Sequence, residues 1–241
     1  MNKIEPILLQ IMTSITRHNI PITFKGAMVL NNILDNSEYI RATQDIDGST
    51  PVKQIDKIVE DINSALKDDG LEYYFEIYRY PSEIKSAGFY IYQNDGKPFS
   101  QMDLDNKECF TKVTYTTSQG DFVGCSIEQT LANKIYVLST KKIFRRIKDF
   151  YDVYRIAKCL SFNINDIYDI QKKIGIPFED FDCLINRIKD VNNAYTKFSG
   201  INNKPEFSEI YDYITRIFIV PFQNNSKDLL WDHNKQEWIK I

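Results

Sequence analysis

Two pairs of aspartates are the residues of this chain best suited to chemistry. Asp45 and Asp47 are two residues apart, and so are Asp103 and Asp105. Because side chains two apart in a strand point to the same face, each pair predicts two carboxylates side by side. Such carboxylates repel each other. A hard divalent cation such as Mg²⁺, which often binds one or two carboxylates together with substrate phosphates, would relieve that repulsion.

A glycine upstream of the first pair could hold a phosphate. A short β run ends at Lys25, Gly26 follows, and apolar residues over 28–34 predict a helix. Glycine lets backbone amides approach a phosphate closely, and the start of a helix favours an anion. Gly26 lies 19 and 21 residues before Asp45 and Asp47. An isolated pair of alternating aspartates is more often an acidic surface, but this preceding turn favours a phosphate cradle that faces a metal site.

The first half of the chain has the patterns of an α/β domain. Apolar residues at helical spacing predict helices over 5–17 and 55–66. Short aromatic and β-branched runs then predict strands, which we place at 73–80, 87–92, 99–104 and 111–116. We expect these strands to extend the first two strands in an antiparallel manner.

The second half is predicted to be helical. After Gly124 the helical segments lie near 126–139, 144–160, 164–174, 178–189 and 205–218. A boundary near residue 125 therefore separates a mixed α/β domain, 1–125, from a helical domain, 126–241. The tail, which contains Trp231 and Trp238, predicts a small hairpin.

The segment from Lys134 to Lys158 concentrates positive charge. Its eight basic residues and two acidic ones give a local charge of about +6. The basic residues are Lys134, Lys141, Lys142, Arg145, Arg146, Lys148, Arg155 and Lys158. If they face the acidic residues, they would bind phosphate oxygens of a ligand. The alternative is a solvated basic helix with ordinary ion pairs.

Composition limits the class of protein. The 241 residues are 43% hydrophobic and 26% charged, which is ordinary for a folded domain. A net charge of −3 gives no general attraction to nucleic acid, so polyanion binding needs a local patch. With His18 and His233 as the two histidines, a zinc site made of three histidines is excluded.

Cysteine spacing and hydropathy predict a compartment. The cysteines, Cys109, Cys125, Cys159 and Cys183, show no C-x-x-C spacing. The sequence shows no signal peptide, and no apolar run approaches the roughly 20 residues that span a bilayer. We therefore expect a cytoplasmic protein with reduced thiols.

Three motifs together resemble a known family. They are Lys25-Gly26-Ala27, Arg41-x-Thr43-x-Asp45-x-Asp47 and Lys148-Asp149-Phe150-Tyr151-Asp152. The chain resembles the nucleotidyltransferase superfamily of the DNA polymerase β type, and most of all its AbiEii toxin branch, found in abortive-infection and toxin–antitoxin systems. The resemblance spans residues 20–158. It departs from the family at Ala27, where glycine or serine is usual, so the amide is kept but flexibility or a hydroxyl is lost.

The resemblance implies a fold and an activity. The fold is an α/β (α+β) mixed sheet with flanking helices, followed by a C-terminal helical domain. The activity is transfer of a nucleoside monophosphate from an NTP to a hydroxyl with Mg²⁺ or Mn²⁺, with an RNA such as tRNA as acceptor and a cognate antitoxin as partner. Two alternatives stay open: a nucleotide-binding regulator with little turnover, which Ala27 favours, and a phosphotransferase that uses the same metal site.

The resemblance also implies roles for the acidic residues. Asp45 and Asp47 would bridge two metal ions about 4 Å apart. Asp103, between Met102 and Leu104, is the first choice for the third carboxylate, which would hold the ion at the acceptor hydroxyl and help to deprotonate it. Asp105 begins a turn and is the second choice.

The remaining roles concern the nucleotide. Lys25, Gly26, Ala27, Arg41 and Thr43 would bind its phosphates, although Arg41 could equally be a surface residue before a strand. By the same resemblance, Lys134 would contact the phosphates, Lys148 and Asp149 would form the later nucleotide-binding motif, and Asp149 would position the nucleotide or a basic side chain. Asp152, on the same helix face as Asp149, could instead hold Lys148 or Arg145.

Overall fold

The chain forms two compact units. The computed structural model describes residues 4–34, 41–82, 86–93, 96–107, 109–201 and 204–241. The first unit comprises Met1–Ile33 and Ala42–Ser126, and the second comprises Leu34–Arg41 and Ile127–Ile241. Leu34 and Arg41 therefore belong with the second unit although they lie early in the sequence. Division into domains 1–125 and 126–241 stays a prediction.

Three helices belong to the first unit. They are α1 (Ile4–Arg17), α2 (Gly26–Ile33) and α3 (Ile55–Asp68). The apolar stripes of α1 and α3 are buried, with Ile11 and Ile62 fully shielded from water. Burial of about 25 cal/mol per Å² of apolar surface stabilises these helices more than their intrinsic propensities do.

Seven strands form one mixed sheet. They are β1 (Thr23–Lys25), β2 (Asp45–Ser49), β3 (Tyr73–Arg79), β4 (Ala87–Gln93), β5 (Pro98–Asp105), β6 (Lys112–Thr117) and β7 (Gly120–Cys125), in the order β3-β4-β5-β2-β1-β7-β6. Strand β5 runs parallel to β2, and β7 runs parallel to β1. The prediction of an antiparallel extension is therefore wrong at the β2–β5 pair. Strand β7 was not predicted, because its pattern lies just before the helical half expected after Gly124.

The two faces of the sheet have opposite character. On one face Phe24, Ile46 and Met102 are fully buried in the core. Because side chains alternate along a strand, their neighbours Lys25, Asp45, Asp47 and Asp103 point to the other face. The core thus fixes the register that places the acidic residues together on one surface.

The second unit is mainly helical. Its helices are α4 (Ile127–Ser139), α5 (Ile147–Cys159), α6 (Ile164–Ile174), α7 (Asp182–Asn186), α8 (Ile188–Lys197), α9 (Phe207–Tyr213) and α10 (Val220–Gln223), with a 3₁₀ turn at Lys141–Phe144 and a π-helical turn at Ile214–Phe218. The helix predicted over 178–189 is instead a short α7, and α8 was not predicted. Among the described residues, no helix is long and apolar enough to cross a membrane.

The predicted tail hairpin is confirmed. Strands β9 (Leu229–Asp232) and β10 (Glu237–Lys240) are antiparallel, and β9 also pairs with the two-residue strand β8 (Phe162–Asn163). Trp231 is fully buried, and its Nε1 donates a hydrogen bond to the carbonyl oxygen of Ala157 at 2.7 Å. This contact fixes the hairpin to the end of α5.

Candidate active site

The centre of the sheet aligns a lysine and two aspartates. In the strand register, Asp47 of β2 lies beside Lys25 of β1 on one side and beside Asp103 of β5 on the other. Asp45 lies beside Gln101 in the same way. Neighbouring strands are about 4.8 Å apart, and paired residues share a face. The three predicted acidic ligands therefore lie on one face of two adjacent strands, β2 and β5.

Asp103 is held by an arginine that the sequence patterns did not single out. Arg79 of β3 forms an ion pair with Asp103. Its Nε also donates to the carbonyl oxygen of Ser86 at 2.9 Å. Arg79 pairs in register with Gly88 of β4, which in turn pairs with Asp103. The space above Gly88 is taken by the Tyr78 ring, which would lie 2.5 Å from an added Cβ, so Arg79 reaches the carboxylate beside this ring.

Asp105 is held by contacts that suit a strand end. Lys25 Nζ donates to its Oδ2 at 2.5 Å, and Ser49 Oγ donates to its Oδ1 at 2.7 Å. The backbone amide of Lys107 donates to the same Oδ1 at 3.2 Å, as expected for a turn residue. In this arrangement Lys25, which is predicted to bind a phosphate, binds Asp105.

Gly26 lies directly against Asp47. The φ angle of Gly26 is +77°, in the left-handed region that favours glycine. A Cβ at this position would lie 2.4 Å from Asp47 Oδ2, which is too close for any side chain. The glycine is therefore required twice, by its backbone conformation and by the carboxylate beside it. Asp47 thus lies at the start of α2, where the positive end of the helix dipole favours a negative charge.

Replacing Gly26 by alanine tests this contact. We expect Gly26→Ala to destabilise the first unit strongly, because the new Cβ displaces the Asp47 carboxylate. Gly70→Ala is the matched control, since Gly70 has a φ of +69° but no atom of the described residues would lie within 4 Å of an added Cβ. The free energy of unfolding of Gly70→Ala should fall by only about 1–2 kcal/mol, which is the cost of a side chain in the left-handed region. Thermal unfolding of both variants provides the measurement, and equal losses of stability would contradict the close contact between Gly26 and Asp47.

Thr43 orients the other carboxylate on β2. Its Oγ1 donates a hydrogen bond to Asp45 Oδ1 at 2.6 Å. Thr43 itself is buried, with 4% of its surface exposed, whereas Asp45 is exposed. A buried donor that holds an exposed carboxylate restricts its rotamers. Thr43 is therefore placed to aim Asp45 rather than to touch a phosphate directly.

The other predicted nucleotide-binding residues lie in the second unit. Lys134 Nζ donates to Asp149 Oδ1 and to Asp152 Oδ2, both at 2.7 Å. The Lys134 side chain is 9% exposed, and both carboxylates are 1% exposed. Arg41 Nε donates to Asp152 Oδ1 at 3.3 Å. Arg41 is therefore not a surface residue before a strand, because it joins this buried network.

The interpretation of Asp152 needs correction. It contacts Lys134, Arg41 and Arg155 rather than Lys148 or Arg145. The reason is that the face of α5 that carries Asp149 and Asp152 is buried, whereas Arg145 is exposed and Lys148 is half-buried.

The charges in this network stabilise one another. Burial alone would lower the pKa of Lys134, but Asp149 and Asp152 outweigh it and raise the pKa. Burial would likewise raise the pKa of Asp152, but Lys134, Arg41 and Arg155 hold it well below its ordinary range. For Arg155, which is fully buried, desolvation prevails and lowers the pKa. Lys134 and Asp152 are therefore ionised at neutral pH.

The basic segment is divided by burial. Lys134 and Arg155 are buried in the network, whereas Lys141, Lys142, Arg145 and Arg146 are exposed. Arg146 Nε also lies 2.7 Å from Asp149 Oδ2. Two of the eight basic residues thus belong to the interior, and a smaller cationic surface remains around the 3₁₀ turn and the start of α5.

The acidic face fits a divalent cation in part. Asp45 and Asp47 supply hard oxygen ligands on one face of β2, which suits Mg²⁺ or Mn²⁺. In the part of the chain that the structure describes, however, no three Asp, Glu, His or Cys side chains converge to hold a metal ion. Asp103 does not join the other two because Arg79 binds it. Asp45 and Asp47 therefore suit a divalent cation, whereas Asp103, which binds Arg79, does not join them.

Solved structures with a similar fold define the class. MenT4, a nucleotidyltransferase toxin from Mycobacterium tuberculosis, has a TM-score of 0.58 and 14% identity over 96% of this chain and 86% of its own. JHP933 from Helicobacter pylori has a TM-score of 0.54 and 14% identity over 86% of this chain and 85% of its own. A putative nucleotidyltransferase from H. pylori has a TM-score of 0.53 and 15% identity over 86% and 88%. The likeness shows that this chain has the nucleotidyltransferase fold.

The sequence identifies the branch. A family model described as the nucleotidyl transferase AbiEii toxin of a type IV toxin–antitoxin system matches residues 7–176. The chain therefore belongs to the AbiEii nucleotidyltransferase toxin family, and the predicted fold class and enzyme class are confirmed. No curated protein matches the chain.

Proposed function

We propose that this protein transfers a nucleoside monophosphate from an NTP, bound with Mg²⁺ or Mn²⁺, to a hydroxyl of an RNA acceptor such as tRNA. It would act in the cytoplasm as the toxin of a pair with a cognate antitoxin. The observation that carries the proposal is the contact of Asp47 with Gly26 at the start of α2, with Asp45 two residues away on the same face. This arrangement combines a metal-binding pair with a turn that can accept a phosphate.

Asp45 and Asp47 would hold the metal in this proposal. A divalent ion held there would supply positive charge to the triphosphate and to the leaving pyrophosphate. Thr43 orients Asp45 through its hydrogen bond, and Gly26 with the amide of Ala27 lets the triphosphate approach the start of α2. Lys25 would move from Asp105 to a phosphate oxygen when the nucleotide binds.

The second unit would contribute cations. Lys148 and the exposed residues of the basic segment carry charges that suit phosphates of the nucleotide or the RNA. Lys134 is already bound by Asp149 and Asp152, so a phosphate contact would require it to exchange one of these carboxylates. Its role at the phosphates, and that of Asp149 in positioning the nucleotide, stay proposals.

The role of Asp103 depends on Arg79. If Asp103 is the third carboxylate, the ion pair with Arg79 must open before it can hold a metal. We therefore expect Arg79→Gln to raise Mn²⁺ affinity about tenfold, which corresponds to about 1.4 kcal/mol, because the competing cation is removed. Titration of free Mn²⁺ by electron paramagnetic resonance measures this. Arg187→Gln, which breaks an exposed pair with Asp190, is the control.

An unchanged Mn²⁺ affinity in Arg79→Gln would contradict the assignment of Asp103 as a ligand. The double variant Arg79→Gln, Asp103→Asn refines the test. The increase in Mn²⁺ affinity should disappear in the double variant if Asp103 binds the ion. It should remain if Arg79 acts only through its positive charge near Asp45 and Asp47.

The proposed reaction is tested with labelled nucleotides. The full chain is incubated separately with each of the four α-³²P-NTPs, Mg²⁺ and total cellular RNA and protein. Label in RNA together with released pyrophosphate supports the proposal, and Asp45→Asn should give neither. Label in protein or in a small molecule would overturn the RNA acceptor. Transfer from γ-³²P-NTP instead would identify a phosphotransferase.

A nucleotide-binding regulator is the second candidate. The Arg79–Asp103 pair favours it, because it neutralises the carboxylate that the reaction would need, and Ala27 favours it in the phosphate turn. Equilibrium dialysis with labelled NTP and Mg²⁺ separates the two candidates. Stoichiometric binding with no pyrophosphate release under the conditions of the transfer assay would support the regulator.

A further inference from the structure

Two cysteines in the first unit lie close together. Cys109 Sγ lies 2.7 Å from Cys125 Sγ, and neither cysteine is in a disulfide. Cys125 ends β7, and Cys109 lies in the connection from β5 to β6. Sulfur atoms in a disulfide are about 2.05 Å apart, so a small movement would bring these two to bonding distance.

The backbone around the two thiols fixes their approach. In the antiparallel pair β6–β7, Lys112 lies opposite Cys125. On the same side, the Thr111 and Ser126 hydroxyls are 2.8 Å apart, and the Ser126 amide donates to the Thr111 carbonyl oxygen at 3.0 Å. Thr111 is two residues from Cys109, and Ser126 directly follows Cys125. The sulfur atoms are therefore neighbours because two chain segments are paired, not because of one side-chain rotamer.

The environment distinguishes the two thiols. The hydrogen bond from Cys125 outweighs burial and lowers the pKa of Cys109, with Lys112 and Lys25 adding positive charge nearby. The same hydrogen bond, together with burial, raises the pKa of Cys125. One thiol is thus biased toward the nucleophilic thiolate, and the other keeps its proton.

We propose that Cys109 and Cys125 form a modification site, a dithiol that hydrogen peroxide converts to an intramolecular disulfide and that a thiol reductant restores. The Cys109 thiolate attacks one peroxide oxygen, the O–O bond breaks and hydroxide leaves, which gives a sulfenic acid. The Cys125 sulfur then attacks the Cys109 sulfur, the S–O bond breaks, and the oxygen leaves as water with the thiol proton. Two sulfurs are oxidised, and peroxide is reduced to two waters.

The disulfide would connect two parts of the sheet. It would join the β5–β6 connection to the end of β7, where Gly124 pairs with Phe24 of β1. Lys25 and Gly26 follow Phe24 directly. Oxidation would thus add a covalent link beside the strand that leads into the phosphate turn, but the inference itself does not rest on the proposed function.

Thiol mapping of the full chain tests the site. Reduced protein is treated with hydrogen peroxide, denatured, alkylated with N-ethylmaleimide and digested. We expect the loss of two alkylatable thiols, a crosslinked peptide joining Cys109 to Cys125, and full reversal by dithiothreitol. The double variant Cys159→Ser, Cys183→Ser should behave identically. Four equally alkylated thiols after peroxide, or a crosslink through Cys159 or Cys183, would overturn the proposal.

A single variant tests the order of the two steps. In Cys125→Ser the crosslink cannot form, so Cys109 should stop at the sulfenic acid and be trapped by dimedone. Peroxide should raise the Tm of the wild-type protein by about 5 °C, because the crosslink restricts the unfolded chain, and should leave the Tm of this variant unchanged. Dimedone labelling of Cys159 or Cys183 ahead of Cys109 would contradict the order. If Cys125→Ser does not fold, mapping of the wild-type protein still decides the proposal.

Discussion

Asp45→Asn and Asp47→Asn should each lower NMP transfer at least ~10³-fold while changing the Tm by less than ~2 °C. Loss of one metal-binding carboxylate removes the electrostatic stabilisation on which phosphoryl chemistry depends, and single groups of this kind contribute about 10²–10³ or more to kcat. The fold should tolerate the change, because it relieves repulsion between like charges. Asparagine also keeps an oxygen that can accept the hydrogen bond from Thr43.

The control for these variants is Asp121→Asn. Asp121 is an exposed aspartate in β7 of the same sheet, so its replacement makes the same change in charge and size. It should retain full transfer and full Mn²⁺ binding. The metal-site proposal would be wrong if Asp45→Asn and Asp47→Asn unfolded the first unit but kept normal activity per folded molecule. It would also be wrong if both variants bound Mn²⁺ as tightly as the wild-type protein.

Local pattern was sufficient to predict which side chains of each strand point away from the core. Alternation around Ile46 and Met102 predicted that Asp45 and Asp47 share a face and that Asp103 points away from the core, and both features are present. The positive φ of Gly26 agrees with the predicted turn. These features depend on spacing within about 25 residues and on which residues enter the core, and the sequence carries both signals directly.

Contacts between distant residues could not be predicted in the same way. The Arg79–Asp103 pair accompanies a shift in register at the end of β3, between Ile77 and Arg79. No local pattern marks this shift as a bridge to β5. Gly88 breaks an otherwise aromatic run, and glycine in a strand often marks a close approach, but the group that approaches it is the Tyr78 ring.

Arg41 shows a second limit. It stands in one motif with Thr43 and Asp45, so the sequence places all three at one site. In the structure Arg41 binds Asp152, whereas Thr43 binds Asp45, so two side chains of one motif have different partners. Spacing in sequence shows that residues are close in the chain, but not which carboxylate each side chain binds.

The buried network of the second unit predicts a large effect on stability. Asp152→Asn should destabilise that unit by about 3–5 kcal/mol, because it leaves the fully buried Arg155 without its carboxylate. Asp190→Asn is the matched control: Asp190 also pairs with an arginine three residues away on a helix, but is 47% exposed. That variant should lose less than ~1 kcal/mol. Urea unfolding followed by circular dichroism gives both values.

The pH dependence gives this prediction a second, independent readout. The folded pKa of Asp152 is lowered below its unfolded value of about 3.9, so its contribution to stability is fully present above that pH and is lost as the pH falls toward the folded pKa. The difference in stability between the wild-type protein and Asp152→Asn should therefore be constant from about pH 6 to 8 and shrink below about pH 4. A difference that stayed constant down to pH 3 would show that packing, not charge, accounts for the loss.

NTP binding by Asp152→Asn also tests the role of Lys134. In this variant Asp149 is the one carboxylate left of the two that bind the Lys134 ammonium. Any contact of Lys134 with a phosphate should therefore become stronger.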